Sequence, residues 1–142
     1  MATRTFGERV LRNEDARLLT GQGRYVDDID APGAAHAAFV RSPVAHARIV
    51  RIDTERARAL PGVVAVYTCD DIGRIDRELP LLIPHPAMTH PRTQRPLARD
   101  RVYHAGQAVA FVIAESRYVA EDAAELVEVD YEPLPVVVDL EE

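Results

Sequence analysis

The hydrophobic pattern is clearest over Gly106–Tyr131 (GQAVAFVIAESRYVAEDAAELVEVDY). Ala108–Ala114 is an unbroken apolar run with β-branched Val109, Val112 and Ile113. A run so short, of that composition, predicts a strand buried on both faces. Ser116 then offers an N-cap hydroxyl and the period becomes helical. Val119, Ala123 and Val127 recur at i, i+4 and i+8, while Arg117, Glu121 and Glu125 line another face. From Val127 the period drops to two: Val127, Val129 and Tyr131 point one way, Glu128, Asp130 and Glu132 the other. This predicts a half-exposed strand, halted by Pro133 and Pro135. Strand, helix, strand in that order predicts a βαβ unit with a right-handed crossover.

The same succession occurs upstream. Ala34–Arg41 (AAHAAFVR) predicts a strand of small residues that another segment can approach closely, broken at Ser42-Pro43. His46–Asp53 (HARIVRID) predicts a second strand, and Asp53 or Thr54 caps a short helix with Ala57 and Leu60 on one side. Pro61-Gly62 ends that helix and Val63–Thr68 (VVAVYT) predicts a third strand. The two units read as a degenerate internal echo or as the commonest way to build an α/β layer. Asp70-Asp71-Ile72 predicts a capped turn. Residues 74–100 then hold Pro80, Pro84, Pro86, Pro91 and Pro96, a spacing that excludes helices and central strands. Exposed Leu81-Leu82-Ile83 would be a liability, so this long irregular segment is expected to cover something. The chain re-enters the sheet through Arg101-Val102-Tyr103.

Residues 1–33 carry no sustained period and predict an extended arm with one helical turn near Asn13–Leu18; residues 34–142 form the α/β domain. Gly21-Gln22-Gly23 lacks the preceding strand, third glycine and following helix of a phosphate loop. Asp27, Asp28 and Asp30 lack the twelve-residue loop and terminal Glu of a calcium site, so a turn at Asp30-Ala31-Pro32-Gly33 is expected.

Composition narrows the function classes. At 142 residues the chain is one domain's worth, long enough for a real core. The net charge of −6 argues against nucleic acid. All 17 basic residues are Arg, and Arg41, Arg48, Arg51, Arg56 and Arg58 read as ordinary surface positions rather than a phosphate row. The longest apolar run falls far short of the ~20 residues of a membrane span, and no N-terminal apolar segment is present, so a cytoplasmic location is expected. Cys69, the single cysteine, precludes an intrachain disulfide and a cysteine cluster. It reads as a small buried hydrophobe, with no His or Asp arranged to activate it. Nothing in the spacing puts His85, His90 and His104 on one face as metal ligands. No nucleophile, acid–base pair, phosphate cradle or metal cluster is legible.

An ordered series of segments carries a resemblance. Arg12–Asp28 (RNEDARLLTGQGRYVDD), Arg41–Ile49 (RSPVAHARI), Pro61–Asp71 (PGVVAVYTCDD), Arg95–Leu97 (RPL), Gly106–Ala110 (GQAVA) and Tyr118–Pro135 (YVAEDAAELVEVDYEPLP) occur in this order. Together they resemble the N-terminal part of the molybdenum-binding large subunit of the xanthine dehydrogenase/aldehyde oxidase family, most closely the aerobic carbon monoxide dehydrogenase branch. The resemblance implies an α/β hammerhead domain over residues 34–142. It implies a complete enzyme in which a molybdopterin-bound molybdenum centre oxidises CO or hydroxylates aldehydes and N-heterocycles, passing electrons through iron–sulfur clusters to FAD. It also implies that the catalytic glutamate and pterin-binding loops follow Glu142, so this chain carries no catalytic, cofactor-binding or metal residue of its own. Its partners would be the molybdenum-binding catalytic part and the iron–sulfur and FAD subunits. Two sets of residues are candidates for docking onto that part: Arg41, Ser42, Pro43 and His46 at a break between strands, and His104, Gly106 and Gln107 where small residues permit close approach. Ordinary turn chemistry accounts equally for both sets. The other expectation is a free-standing interaction or ligand-binding module that keeps the fold without enzymatic activity.

Overall fold

The computed structural model describes residues 7, 11–29, 31–89 and 91–139. They fall into two compact units, 1–33 and 34–142. In the first unit, helix α1 spans Asp15–Leu19, and a 3-10 turn covers Val26–Asp28, where Asp28 accepts from the Tyr25 N–H at 2.9 Å. Gly21 turns the chain with φ at +71°. Asp30, at the start of the expected turn, lies outside the described residues.

The second unit is built from strands β1 (His36–Arg41), β2 (Ala47–Asp53), β3 (Val63–Thr68), β4 (Arg101–Val102), β5 (Ala108–Ala114) and β6 (Glu128–Pro133). Helix α2 (Glu55–Ala59) lies between β2 and β3, and helix α3 (Arg117–Glu125) between β5 and β6. The local predictions hold closely. Ser116 accepts from the Val119 N–H at 3.2 Å and so starts α3. At α2 the Asp53 carboxylate, not Thr54, accepts from the Glu55 N–H at 3.0 Å. Gly62, at φ +88°, turns the chain into β3.

The topology corrects the crossover expectation. One sheet has the order β1-β5-β3 and the other β4-β2-β6, so successive strands β1 to β3 and β4 to β6 change sheet at each step. Every pairing is antiparallel. The strand–helix–strand units therefore join two sheets and do not place parallel neighbours in one. The handedness rule, which governs parallel strands of the same sheet, does not apply.

The sheets meet through two apolar clusters. Ala57, Val66, Ala110, Val112, Ala123 and Val127 form one beneath the helices; Ala47, Ala98, Val102 and Val109 form the other. Ile52 and Val129 pack against both. The alanines at the first cluster let α3 approach β1 and β5 closely. Two strand irregularities keep the apolar sets in phase. The register of β2 shifts between Ile49 and Arg51, leaving Val50 exposed, and that of β3 shifts between Val63 and Ala65, leaving Val64 exposed. An extra residue in a strand re-aims the side chains beyond it, so Ile49 and Ile52, three apart, both reach the core, as do Val63 and Val66.

β5 is the central strand of its sheet, yet burial on both faces is incomplete. Val109, Ala110, Val112 and Ala114 are buried, while Phe111 and Ile113 are half-exposed. The proline-rich segment departs from expectation at its tip, where Leu82 and Ile83 are 92% and 82% exposed, while Leu81 is half-buried and Leu97 and Ala98 near its end are buried. Its base is nonetheless ordered. The Leu79 N–H donates to the Gln94 carbonyl at 3.0 Å, the Thr93 hydroxyl donates back to the Leu79 carbonyl, and Arg95 donates to the Asp76 carbonyl at 2.9 Å. The ends are clamped and the tip projects, the form of a compact surface loop.

Candidate docking surface

The structure brings Arg41 and Ser42 of one sequence-derived set and Gly106 and Gln107 of the other into one hydrogen-bonded node. The Ser42 N–H donates to the Gln107 carbonyl at 2.9 Å and the Gly106 N–H to the Ser42 carbonyl at 2.8 Å. Arg41 at the end of β1 donates from Nη1 to the Gly106 carbonyl at 2.9 Å. Buried Gln107 accepts through Oε1 from the Tyr103 N–H at 2.7 Å, and buried Ser42 donates through Oγ to the Val44 carbonyl at 2.8 Å. Gly106 needs its glycine for conformation alone: φ is +87°, and an added Cβ would meet nothing within 4 Å. His46 Nδ1 lies 2.7 Å from the Pro135 carbonyl, which makes that nitrogen the donor, and its ring stacks on Tyr103 at 5.9 Å between centroids. Burial pushes the Tyr131 hydroxyl up, opposed by a hydrogen bond with Ser42. Pro43 and His104 are exposed.

Beside this node lies an open sheet face. Phe39, Phe111 and Tyr67 are cross-strand partners on β1, β5 and β3, so their side chains share a face. The Phe39 and Phe111 rings are 4.8 Å apart, and the Arg41 guanidinium sits 5.3 Å from the Phe39 centroid. Phe39 and Tyr67 remain 48% and 37% exposed. The opposite face of the same sheet is covered by α2 and α3. This row was illegible in the sequence, because lining up three aromatics from distant segments requires the strand register.

Most of the arginine row is consumed within the chain. Arg48 pairs with Glu132, Arg51 with Asp130 at 3.0 Å and Asp53 at 2.8 Å, Arg56 with Glu128 at 2.8 Å, and Arg58 with Asp71 at 3.4 Å. These pairs are exposed, so solvent screens them and they contribute little to stability. A second group lies at the base of the proline-rich loop. The Asp76 carboxylate, 1% exposed, pairs through Oδ2 with Arg95 at 3.1 Å and with Arg99, while its buried Oδ1 accepts no hydrogen bond. The Arg99 hydrogen bond, with help from Arg95, holds the Asp76 carboxyl below its ordinary range against the opposing effect of desolvation.

The chain's own donors do not fit a molybdenum or iron–sulfur site. Among the described residues no three His, Cys, Asp or Glu side chains converge; His90 lies outside those residues. His85 accepts from the Ala87 N–H at 3.1 Å within its own turn. Cys69 is buried, and its thiol is pushed up to about 11, chiefly by burial and then by Asp70, the opposite of an activated thiolate. No helix among the described residues is long and apolar enough to cross a membrane.

Residues 20–135 match the model of the aldehyde oxidase and xanthine dehydrogenase a/b hammerhead domain. The chain belongs to this family. It is 52% identical to the carbon monoxide dehydrogenase large chain of Afipia carboxidovorans, over 90% of this chain and 15% of that one. It is 40% identical to the xanthine dehydrogenase molybdenum-binding subunit of Escherichia coli O157:H7, over 89% of this chain and 17% of that one. The solved reconstituted CO dehydrogenase of Oligotropha carboxidovorans superposes with a TM-score of 0.81 at 50% identity, covering 94% of this chain and 16% of that one. The hammerhead thus corresponds to a small part of each relative's chain, as the ordered motifs imply.

Proposed function

We propose that this domain is the front of the large subunit of a molybdopterin-dependent oxidoreductase and docks onto its molybdenum-binding catalytic part. The observation that carries this reading is the open aromatic face of Phe39, Phe111 and Tyr67. An apolar sheet face opposite a helix-covered one is what an unpaired interface presents. The two sets, Arg41, Ser42, Pro43 and His46 with His104, Gly106 and Gln107, are proposed as its polar rim, joined to it through Arg41 at the end of β1. When bound in the catalytic part, molybdopterin would supply the redox centre, with iron–sulfur clusters and FAD carrying electrons onward. This chain's contribution is positional, in a cytoplasmic enzyme whose substrate is set elsewhere.

The test is a pull-down of the separately expressed catalytic part by this chain, with molybdenum assayed in the eluate. Wild type is expected to retrieve a molybdenum-containing partner. Phe39→Asp is expected to weaken retrieval about 10-fold or more, as loss of a central aromatic anchor does. Gly106→Val is expected to weaken it by straining the node. A folded wild-type chain that retrieves nothing would leave a free-standing module in place of this reading. Unchanged retrieval with Gly106→Val would remove the node from the surface.

A further inference from the structure

The two sheets end differently at their edges. In the sheet of order β4-β2-β6, one edge is β4, only two residues long, and the other is β6. Glu128, Asp130 and Glu132 stand along β6, and Pro133 closes it. Very short strands, charges and proline are the devices that keep an edge from pairing with a further strand. In the sheet of order β1-β5-β3, the edge strand β1 lacks them. His36–Val40 (HAAFV) carries no acidic residue, no Arg or Lys and no proline, and stays in unbroken register with Ala110–Ala114. The other edge, β3, is interrupted by the register shift between Val63 and Ala65.

The outer side of β1 is also open. Among the described residues, no backbone group of His36–Val40 has a hydrogen-bond partner outside β5. Successive N–H groups of a strand point to opposite sides, so every second one in this stretch faces away from β5. The side chains alternate in the same way. Ala37, Phe39 and Arg41 are exposed on the open face, while Ala38 and Val40 are half-buried on the face that the helices cover.

We propose that the outer edge of β1 is extended by one strand from the catalytic part of the same large subunit. The inference rests on the docking reading above and names the form of the partner, an extended segment with apolar residues at alternate positions. Main-chain hydrogen bonds to β1 hold it, and its alternate side chains lie beside Ala37 and Phe39. The occupant is argued from this continuity with the aromatic row and from length. The relatives extend far beyond the share of them, 15% and 17%, that this chain covers.

The test is amide hydrogen exchange along β1, in the free chain and in its complex with the separately expressed catalytic part. Alternate amides within His36–Val40 are expected to exchange readily in the free chain and about 10-fold or more slowly in the complex, with no such change along β6. Ala37→Pro and Ala38→Pro supply a second readout. One of these two N–H groups faces β5 and the other faces outward, so one variant should disrupt the sheet and the other should fold. The folded variant is expected to bind the catalytic part about 10-fold more weakly. Should neither fold, the exchange pattern decides. Binding without slower exchange along β1 would overturn the added strand and leave the docking reading standing, as would wild-type affinity in a folded proline variant. Protection of every β1 amide in the free chain would also overturn it, in favour of a second copy if dilution removes the protection. No binding by the wild-type chain would overturn both.

Discussion

Asp76 shows how one residue organises a segment that composition alone would leave formless. Its side chain is nearly inaccessible, it draws Arg95 and Arg99 across the loop base, and its backbone carbonyl takes a further hydrogen bond from Arg95. The carboxyl's folded pKa is lowered, first by the Arg99 hydrogen bond. A depressed folded pKa contributes stability above the unfolded value, and that stability is lost as pH falls through the ordinary 3.8 and then through the folded value. Asp76→Asn is therefore expected to be less stable than wild type at neutral pH, with the gap closing in acid. Denaturant midpoints of both proteins along a descending pH series check this; a gap independent of pH would exclude the ion pairs as its source. Cys69 shows the opposite balance, a buried thiol beside carboxylates whose pushed-up pKa suits packing and not chemistry.

Among the elements, α3 has the clearest local cause. It spans nine residues, shorter than an isolated helix needs for stability in water, so it depends on its cap and on buried Ala120 and Ala123. Ser116→Ala removes the acceptor for the Val119 N–H and is expected to cost about 1 kcal/mol, read as a shift in the urea midpoint at unchanged slope. Loss of much less would mean that packing on β5 and β1 alone starts the helix. The strands are equally explicit in one dimension. Ala108–Ala114 and Val63–Thr68 occupy the ranges that their apolar runs define. The bulges at Val50 and Val64 were not legible, because a β-branched residue suits either strand face and only the partner's register reveals which one is left over.

For the whole molecule, the open aromatic row and the projecting loop tip leave large apolar side chains exposed. Leu82→Ser combined with Ile83→Ser is expected to leave the stability of the isolated chain within about 0.5 kcal/mol, since both side chains are exposed. If the tip belongs to the docking surface, the same pair of substitutions should weaken retrieval of the catalytic part. A marked loss of stability in the isolated chain would show that the tip packs on its own domain instead. The family was readable from six ordered segments, whereas the proposed docking surface was readable only in pieces. Ser42 and Gln107 stand out separately in the sequence, as a strand break and a tight turn, and nothing in their neighbourhoods says that they bond to each other.

The sequence by itself determined where the main strands and helices lie and where the period changes from β5 through α3 to β6. Those are local properties, written in periods of two and of 3.6 and in the placement of Ser116, Gly62 and the prolines. Only the tertiary structure decided that the strands divide between two antiparallel sheets, that Phe39, Phe111 and Tyr67 align, and that Arg101 faces Arg48. Backbone hydrogen bonds are chemically alike at every residue. The choice of strand partner is therefore made by how the apolar faces of distant segments can all be buried together, and no stretch of sequence records that on its own.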